Sequence, residues 1–383
     1  MLECQKDAFS LAPTIHYLNC AYMSPLAKRV ELAGITALQG KRNPIEIHPD
    51  DFFRIPARVR TSFARLIHAE HANSISIIPA VSYGIATVAK NIRARSGQNI
   101  VLVEDQFPSN VYSWMSLAKE KQLEIRFASS GGASLDKGSA WTDAIVAAID
   151  SRTAVVSIPT VHWTDGTPFD LIRIREAASK VGAAFVLDGT QSVGALPIDV
   201  SLVQPDALVV AGYKWMMGPY SIGLVYWGDR FAHGTPIEEN WINRRGSENF
   251  ARLVDYEEGY QEGAIRFDSG GRSNFILLPM LEEAMDMIEE WRPDRVQQYL
   301  SGLIAPVEDR IRALGFGMAS ASSRASHLFG LRLPTHSNPE TVKEKLASHS
   351  VYVSVRGNAV RVAPHVYNNH HDMEALVDAL SAC

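Results

Sequence analysis

Lys214 follows the apolar run ALVVAG and precedes Trp215, Met216 and Met217, so its ammonium is expected to be desolvated. Desolvation penalises the charged form and lowers the pKa, which is what a lysine needs to form a Schiff base. Asp188 ends a second apolar run, AAFVLD, and Gly189 after it permits a tight turn. A carboxylate there can pair with a pyridinium nitrogen and hold it protonated, while Gln191 can reach a phenolic oxygen of the same ring. PAVSYG places Ser82 and free backbone amides at a helix start, whose positive dipole end favours a phosphate. Tyr213, beside Lys214, offers a further hydroxyl to that phosphate. Phe107, just before Pro108, is placed to stack on a flat ring. Arg361, in NAVRVAP, carries a guanidinium among apolar neighbours, and its fork suits a carboxylate.

Each residue also has an ordinary reading. Lys214 could be a surface lysine at a strand end, Asp188 a cap for the following turn, and Ser82 a plain N-cap. Tyr213 and Phe107 could be packing residues, and Arg361 could answer a buried acid.

What would bring them together is the order of elements. From about residue 73 to 228 short apolar runs (SISII, NIVLV, TAVVSI, AAFVLD, ALVVAGY, IGLVYW) alternate with amphipathic stretches such as VSYGIATVAKNI and LIRIREAASKV. Continuous apolar strands with intervening helices predict an α/β domain with a mostly parallel, doubly wound sheet. In such sheets ligands collect at the carboxyl ends of the strands, where these polar residues stand. The stretch SSGGASLDKGS reads as a loop between a strand and a helix. After residue 255 the pattern becomes long helices followed by short strands (SHLFGLRL, VYVSV, AVRVAP) and a last helix, DMEALVDAL. We therefore expect a large domain over 16–260 and a smaller α+β domain over 261–383, with residues 1–15 returning to pack on it.

Composition narrows the function. Hydrophobic residues make up 46% and charged residues 21%, which argues against a disordered or fibrous chain. A net charge of -5 without a long single-sign run predicts small-molecule partners rather than nucleic acid or a membrane. Cys4, Cys20 and Cys383 lie in no metal-ligand spacing, and an odd count fits a reducing, cytoplasmic setting. The first residues lack an apolar leader, and no run nears roughly 18 apolar residues. No G-x-G-x-x-G follows a strand, which sets aside a nucleotide-binding dehydrogenase. HAEH at 68–71 falls one residue short of an inverted zinc motif, so His68, Glu70 and His71 are read as exposed helix residues, and no metal is expected.

Taken in order, YLNCAYMSPL, PAVSYG, DQFPSNVYSW, VHWTDGT, DGTQSVGALPIDV, AGYKWMMGPYSIGLVYW, RFDSGG and VRVAPHVYNN resemble the class V aminotransferase family of fold-type I enzymes. Those enzymes depend on pyridoxal 5′-phosphate (PLP), and the likeness runs through nearly the whole chain. It implies Lys214 as the Schiff-base lysine, Asp188 at the ring nitrogen and Gln191 at the ring oxygen. It likewise implies Val81, Ser82 and Tyr213 at the phosphate, Phe107 stacked on the ring and Arg361 on the substrate carboxylate. The loop whose residue touches the ring oxygen falls on Trp163. A loop of a partner subunit completes the phosphate site in the family, here near Gly271 and Arg272, so a homodimer is implied.

Two departures bear on the reaction. Cysteine desulfurases carry a nucleophilic cysteine shortly before the arginine, and VYVSVRGNAVRVAP has none. Their ring-stacking histidine is replaced by Phe107, which leans toward the kynureninase and epimerase members. The resemblance thus implies bond breaking at the α-carbon of an amino acid, as an aminotransferase or a C–S or C–C lyase. The alternatives are an epimerase of the isopenicillin N type and a catalytically silent binding protein.

Overall fold

The computed structural model describes residues 2–132, 134–335 and 337–383. Its strands begin with β1 (His16–Tyr17), β2 (Ile75–Ile78), β3 (Asn99–Val103), β4 (Glu124–Ala128) and β5 (Thr153–Pro159). They continue with β6 (Ala184–Asp188), β7 (Ala207–Ala211) and β8 (Gly223–Trp227). β2 to β8 form one seven-stranded sheet in the order β2-β8-β7-β6-β5-β3-β4. The ladders joining β4, β3, β5, β6 and β7 are all parallel, and β8 runs against both β7 and β2. The expected mostly parallel α/β sheet is therefore present.

The apolar runs are continuous because both faces of the sheet are covered. Phe185, Leu187, Leu208 and Val210 pack on one side with Phe63, Ile145 and Ile174 from helices. Ala184, Val186, Ala207 and Val209 pack on the other with Ile85, Val88 and Trp114. Alternate residues of one strand thus enter different cores, as the pleat requires. The same crossovers deliver the carboxyl ends of β2, β3, β5, β6 and β7 to one edge of the sheet.

A second, four-stranded antiparallel sheet follows in the order β12-β13-β10-β9. Its members are β9 (Gly317–Met318), β10 (Phe329–Arg332), β12 (Ser354–Arg356) and β13 (Ala359–Val362), while β11 (Val351–Tyr352) pairs in parallel with β1. The N-terminal residues join this part of the molecule: Gln5 N donates to Val366 O at 2.7 Å and the Phe9 ring meets Tyr367 edge-on. Residues 263–268 pack on the large sheet instead, where Asp268 accepts from the Ile77 amide. The helix Leu277–Trp291 faces both cores, with Leu278 and Leu281 toward the large sheet and Ala284 and Met287 toward the other.

One glycine locks two loops together. Gly194 has φ +104°, and a Cβ there would lie 2.1 Å from the Trp215 carbonyl oxygen. The turn after Asp188 therefore rests on the backbone next to Lys214. Gly194→Ala is expected to cost roughly 2–4 kcal/mol through backbone strain and steric clash. In urea its unfolding midpoint should fall with an unchanged slope; a midpoint equal to the parent's would mean the loops are not so closely apposed.

Candidate active site

The carboxyl ends of the parallel strands open into a cavity of about 390 Å³, within the range of ligand pockets. Lys214, Asp188, Gln191, Tyr213, Phe107, Trp163, Val81 and Ser82 all line it. Arg361 and Gly271 do not: Arg361 stands behind Trp163, and Gly271 lies on an exposed turn at φ +70°.

Lys214 is 6% exposed, so it is not a surface lysine. Burial pulls its pKa down to about 8; the Asp188 carboxylate pulls it up, and the guanidinium groups of Arg361 and Arg356 push it down further. Its Nζ sits 5.2 Å from the centre of the Phe107 ring. Two non-glycine residues with positive φ, Met217 and Ser221, follow it, the kind of strained backbone that gathers at functional sites.

Asp188 is buried at the end of β6. Its Oδ1 accepts from the Thr190 amide at 3.0 Å, which is the turn cap anticipated as its ordinary role. Burial still raises its pKa, against the hydrogen bonds to Thr190 and the charge of Lys214. A carboxylate in that state gains from a cation placed beside it.

The helix Val81–Lys90 starts at Ala80 with no side-chain cap, which leaves its first amides without a side-chain partner. Ser82 lies in the first turn rather than at the N-cap and is exposed, so the plain-cap reading does not hold. Tyr213 is half-buried at 4.6 Å from the Tyr220 ring; burial raises its hydroxyl pKa, and Tyr220 adds to that. Phe107 stays open on one side and meets Trp163 edge-on at 5.4 Å.

Two side chains are engaged elsewhere. The Trp163 indole N–H donates to the Asp105 carbonyl at 2.6 Å. The Gln191 amide donates to Ala21 O at 3.2 Å and accepts from Trp215 Nε1 at 2.9 Å, which leaves one amide hydrogen for the cavity. Arg272 is likewise tied within its own subunit, to Asp268 and Asn243.

Arg361 is 1% exposed. It donates to Trp163 O at 3.0 Å and Ser354 Oγ at 3.4 Å, and its Nε has no partner. Burial lowers its pKa to about 9, and the neighbouring Arg356 adds to that, with no carboxylate opposing either. The buried-acid alternative therefore fails among the described residues. Sequence reasoning passed over Thr190, which orients Asp188, and Tyr220 and Arg356, whose positions depend on packing rather than on a motif. HAEH lies in the turn beyond the helix Asp51–Leu66, not on a helix, and His68 pairs with Asp199.

Comparison with known proteins places this chain in a family. The family profile described as Aminotransferase class-V matches residues 49–379. The uncharacterized aminotransferase YcbU of Bacillus subtilis is 24% identical over 84% of this chain and 82% of its own length. Isopenicillin N epimerase of Streptomyces clavuligerus is 23% identical over 97% of this chain and 96% of its own. Among solved structures, the cystine C–S lyase C-DES superposes with a TM-score of 0.87 at 19% identity, covering 98% of this chain and 99% of that one. That structure holds glycine covalently linked to the PLP cofactor. The match across most of the sequence shows that the chain belongs to the class V aminotransferase family.

Proposed function

We propose that this chain is a PLP-dependent enzyme that breaks a bond at the α-carbon of an amino acid, by transamination or by C–S or C–C lyase chemistry. The observation that carries the reading is the buried, pKa-lowered Lys214 facing the buried carboxyl of Asp188 inside one cavity. The residues fit the cofactor on several counts: an uncapped helix start for its phosphate, an open aromatic face at Phe107, and a carboxyl in need of a cation. When bound, PLP supplies an electron sink conjugated to the substrate's α-carbon.

The protein supplies the rest. Lys214 Nζ would anchor the cofactor through its aldehyde, and its amine, brought near neutral pH by burial, would serve as the base for the substrate's α-proton. Asp188, its carboxyl oriented by the Thr190 amide, would keep the ring nitrogen protonated. The amides of Val81 and Ser82, with Tyr213, would hold the phosphate, Phe107 would cover the ring, and Gln191 would offer its remaining N–H to the ring oxygen. Arg361, held behind Trp163 by Trp163 O and Ser354, would offer its unpartnered Nε to the substrate carboxylate.

Desulfurase chemistry fits poorly. Cys20 does approach the site, with its sulfur 4.0 Å from Lys214 O, but burial pushes its thiol up to about 12. A thiol is inert until ionised. Epimerisation calls for a second proton carrier across from Lys214, and among the described residues the other titratable groups lining the cavity are Asp188, Tyr213 and Tyr220.

A second copy is also proposed, on the evidence of an apolar stripe at Leu32, Ile35 and Leu38 left open on the helix Lys28–Gly40. Gly271, on its exposed turn, is the point at which each copy would reach the other's phosphate site. Sedimentation should give twice the chain mass. To test the cofactor itself, borohydride should bleach the visible band of the loaded protein and leave a mass increase on the peptide containing Lys214. A label on another lysine, or none, would refute the assignment.

A further inference from the structure

Arg356 and Arg361 lie on one face of the β12–β13 ladder, because Arg361 is opposite Ser354 and Arg356 follows Ser354 by two residues. Such diagonal neighbours stand roughly 7–8 Å apart. Both guanidinium carbons sit near the same indole, 5.4 and 5.9 Å from the Trp163 ring centre. Like charges so placed repel, and elsewhere in this chain buried arginines have acids beside them. Arg60 and Arg272 share Asp268, and Arg324 holds Glu308.

Here neither guanidinium is ion-paired among the described residues: of the two carboxyls lining the cavity beside Arg356, Asp165 is held by Lys137 and Asp105 makes no ion pair with either arginine. Arg356 donates only to its neighbour's carbonyl, Val355 O, at 2.7 Å, and its Nε is buried without a partner, as is that of Arg361. Burial depresses both guanidinium pKa values, and only tyrosines, Tyr22 and Tyr17, pull them back. Arg356 lines a cavity of about 540 Å³ that shares Gln106 and Trp163 with the Lys214 cavity. One positive group is accounted for by a substrate α-carboxylate; the second is not.

We propose that the substrate is an amino acid with an acidic side chain, its α-carboxylate on Arg361 and its second carboxylate on Arg356 beside Trp163. This rests on the reading of Lys214 and Arg361 given above and adds the substrate class to it. Arg356 then sets specificity: a charge-assisted hydrogen bond to a desolvated carboxylate separates acidic from neutral side chains by roughly 10- to 100-fold.

Calorimetry on the cofactor-loaded protein with glutarate and pentanoate, equal in chain length and lacking an amino group, tests this without turnover. Glutarate should bind about tenfold tighter or more, and Arg356→Gln should erase the difference. In parallel, the kcat/KM ratio of aspartate to asparagine, and of glutamate to glutamine, should fall in that variant, chiefly through KM. Equal binding of the two acids by the parent protein overturns the proposal and needs no variant. So does a variant that loses both acids alike. Failure of the Lys214 assignment shows itself separately, as borohydride leaving no label on the Lys214 peptide whatever the acids do.

Discussion

Lys214→Ala is expected to lower turnover by about 10³-fold or more while the protein remains folded, because in the function proposed above the side chain would be at once the cofactor's covalent anchor and the base. Removing a desolvated ammonium from a cavity relieves a penalty rather than creating one, so urea stability of the cofactor-free form should hold or rise. The lysine's pKa gives the experiment a second reading. Only the neutral amine attacks an aldehyde, and burial has brought that form within reach of neutral pH. The rate at which cofactor-free protein takes up PLP should therefore rise with pH, half-maximal near pH 8, and flatten above it. A rate that keeps climbing toward pH 10 would mean Lys214 is solvated. Full activity in Lys214→Ala would remove the proposed chemistry altogether.

The sheet was legible because its central strands are buried on both faces and so read as unbroken apolar runs. β4 was not spelled out, for it sits at the sheet edge and its EIRFA sequence is mostly open to solvent. The helices Lys28–Gly40 and Asp51–Leu66 also escaped. The first has no side-chain cap, and the second carries Pro56 in its interior, so neither shows the usual start and stop signals. In the site, Lys214, Asp188, Phe107 and Ser82 stood out because each stands at or just beyond a strand's carboxyl end. What their neighbours do could not be read, since it depends on residues distant in sequence: Gln191 turns to Trp215 and Ala21, and Trp163 to Asp105. Arg356 was overlooked for a different reason. In VYVSVRGNAVRVAP both arginines interrupt apolar strands, and only the ladder register shows that they share a face.

Asp188→Asn should separate the acid's two tasks. The amide keeps an oxygen where the Thr190 N–H is received, so the turn after β6 ought to survive. What it cannot do is hold a ring nitrogen protonated, and the electron sink weakens accordingly. Loss of one preorganised charge at a reacting centre costs about 10²- to 10³-fold in kcat, so a fall of that size with cofactor still bound is expected. Stability of the cofactor-free protein should move the opposite way. Burial raises the Asp188 pKa above its unfolded value, so the unfavourable contribution appears as pH rises through the folded pKa and is absent in acid. Asparagine removes that contribution. At neutral pH the cofactor-free variant should then unfold at equal or higher urea than the parent, the gap closing as pH falls, whereas PLP should stabilise the parent more than the variant. If the variant keeps its kcat, or if its cofactor-free form is the weaker of the two, Asp188 is a turn cap and nothing more.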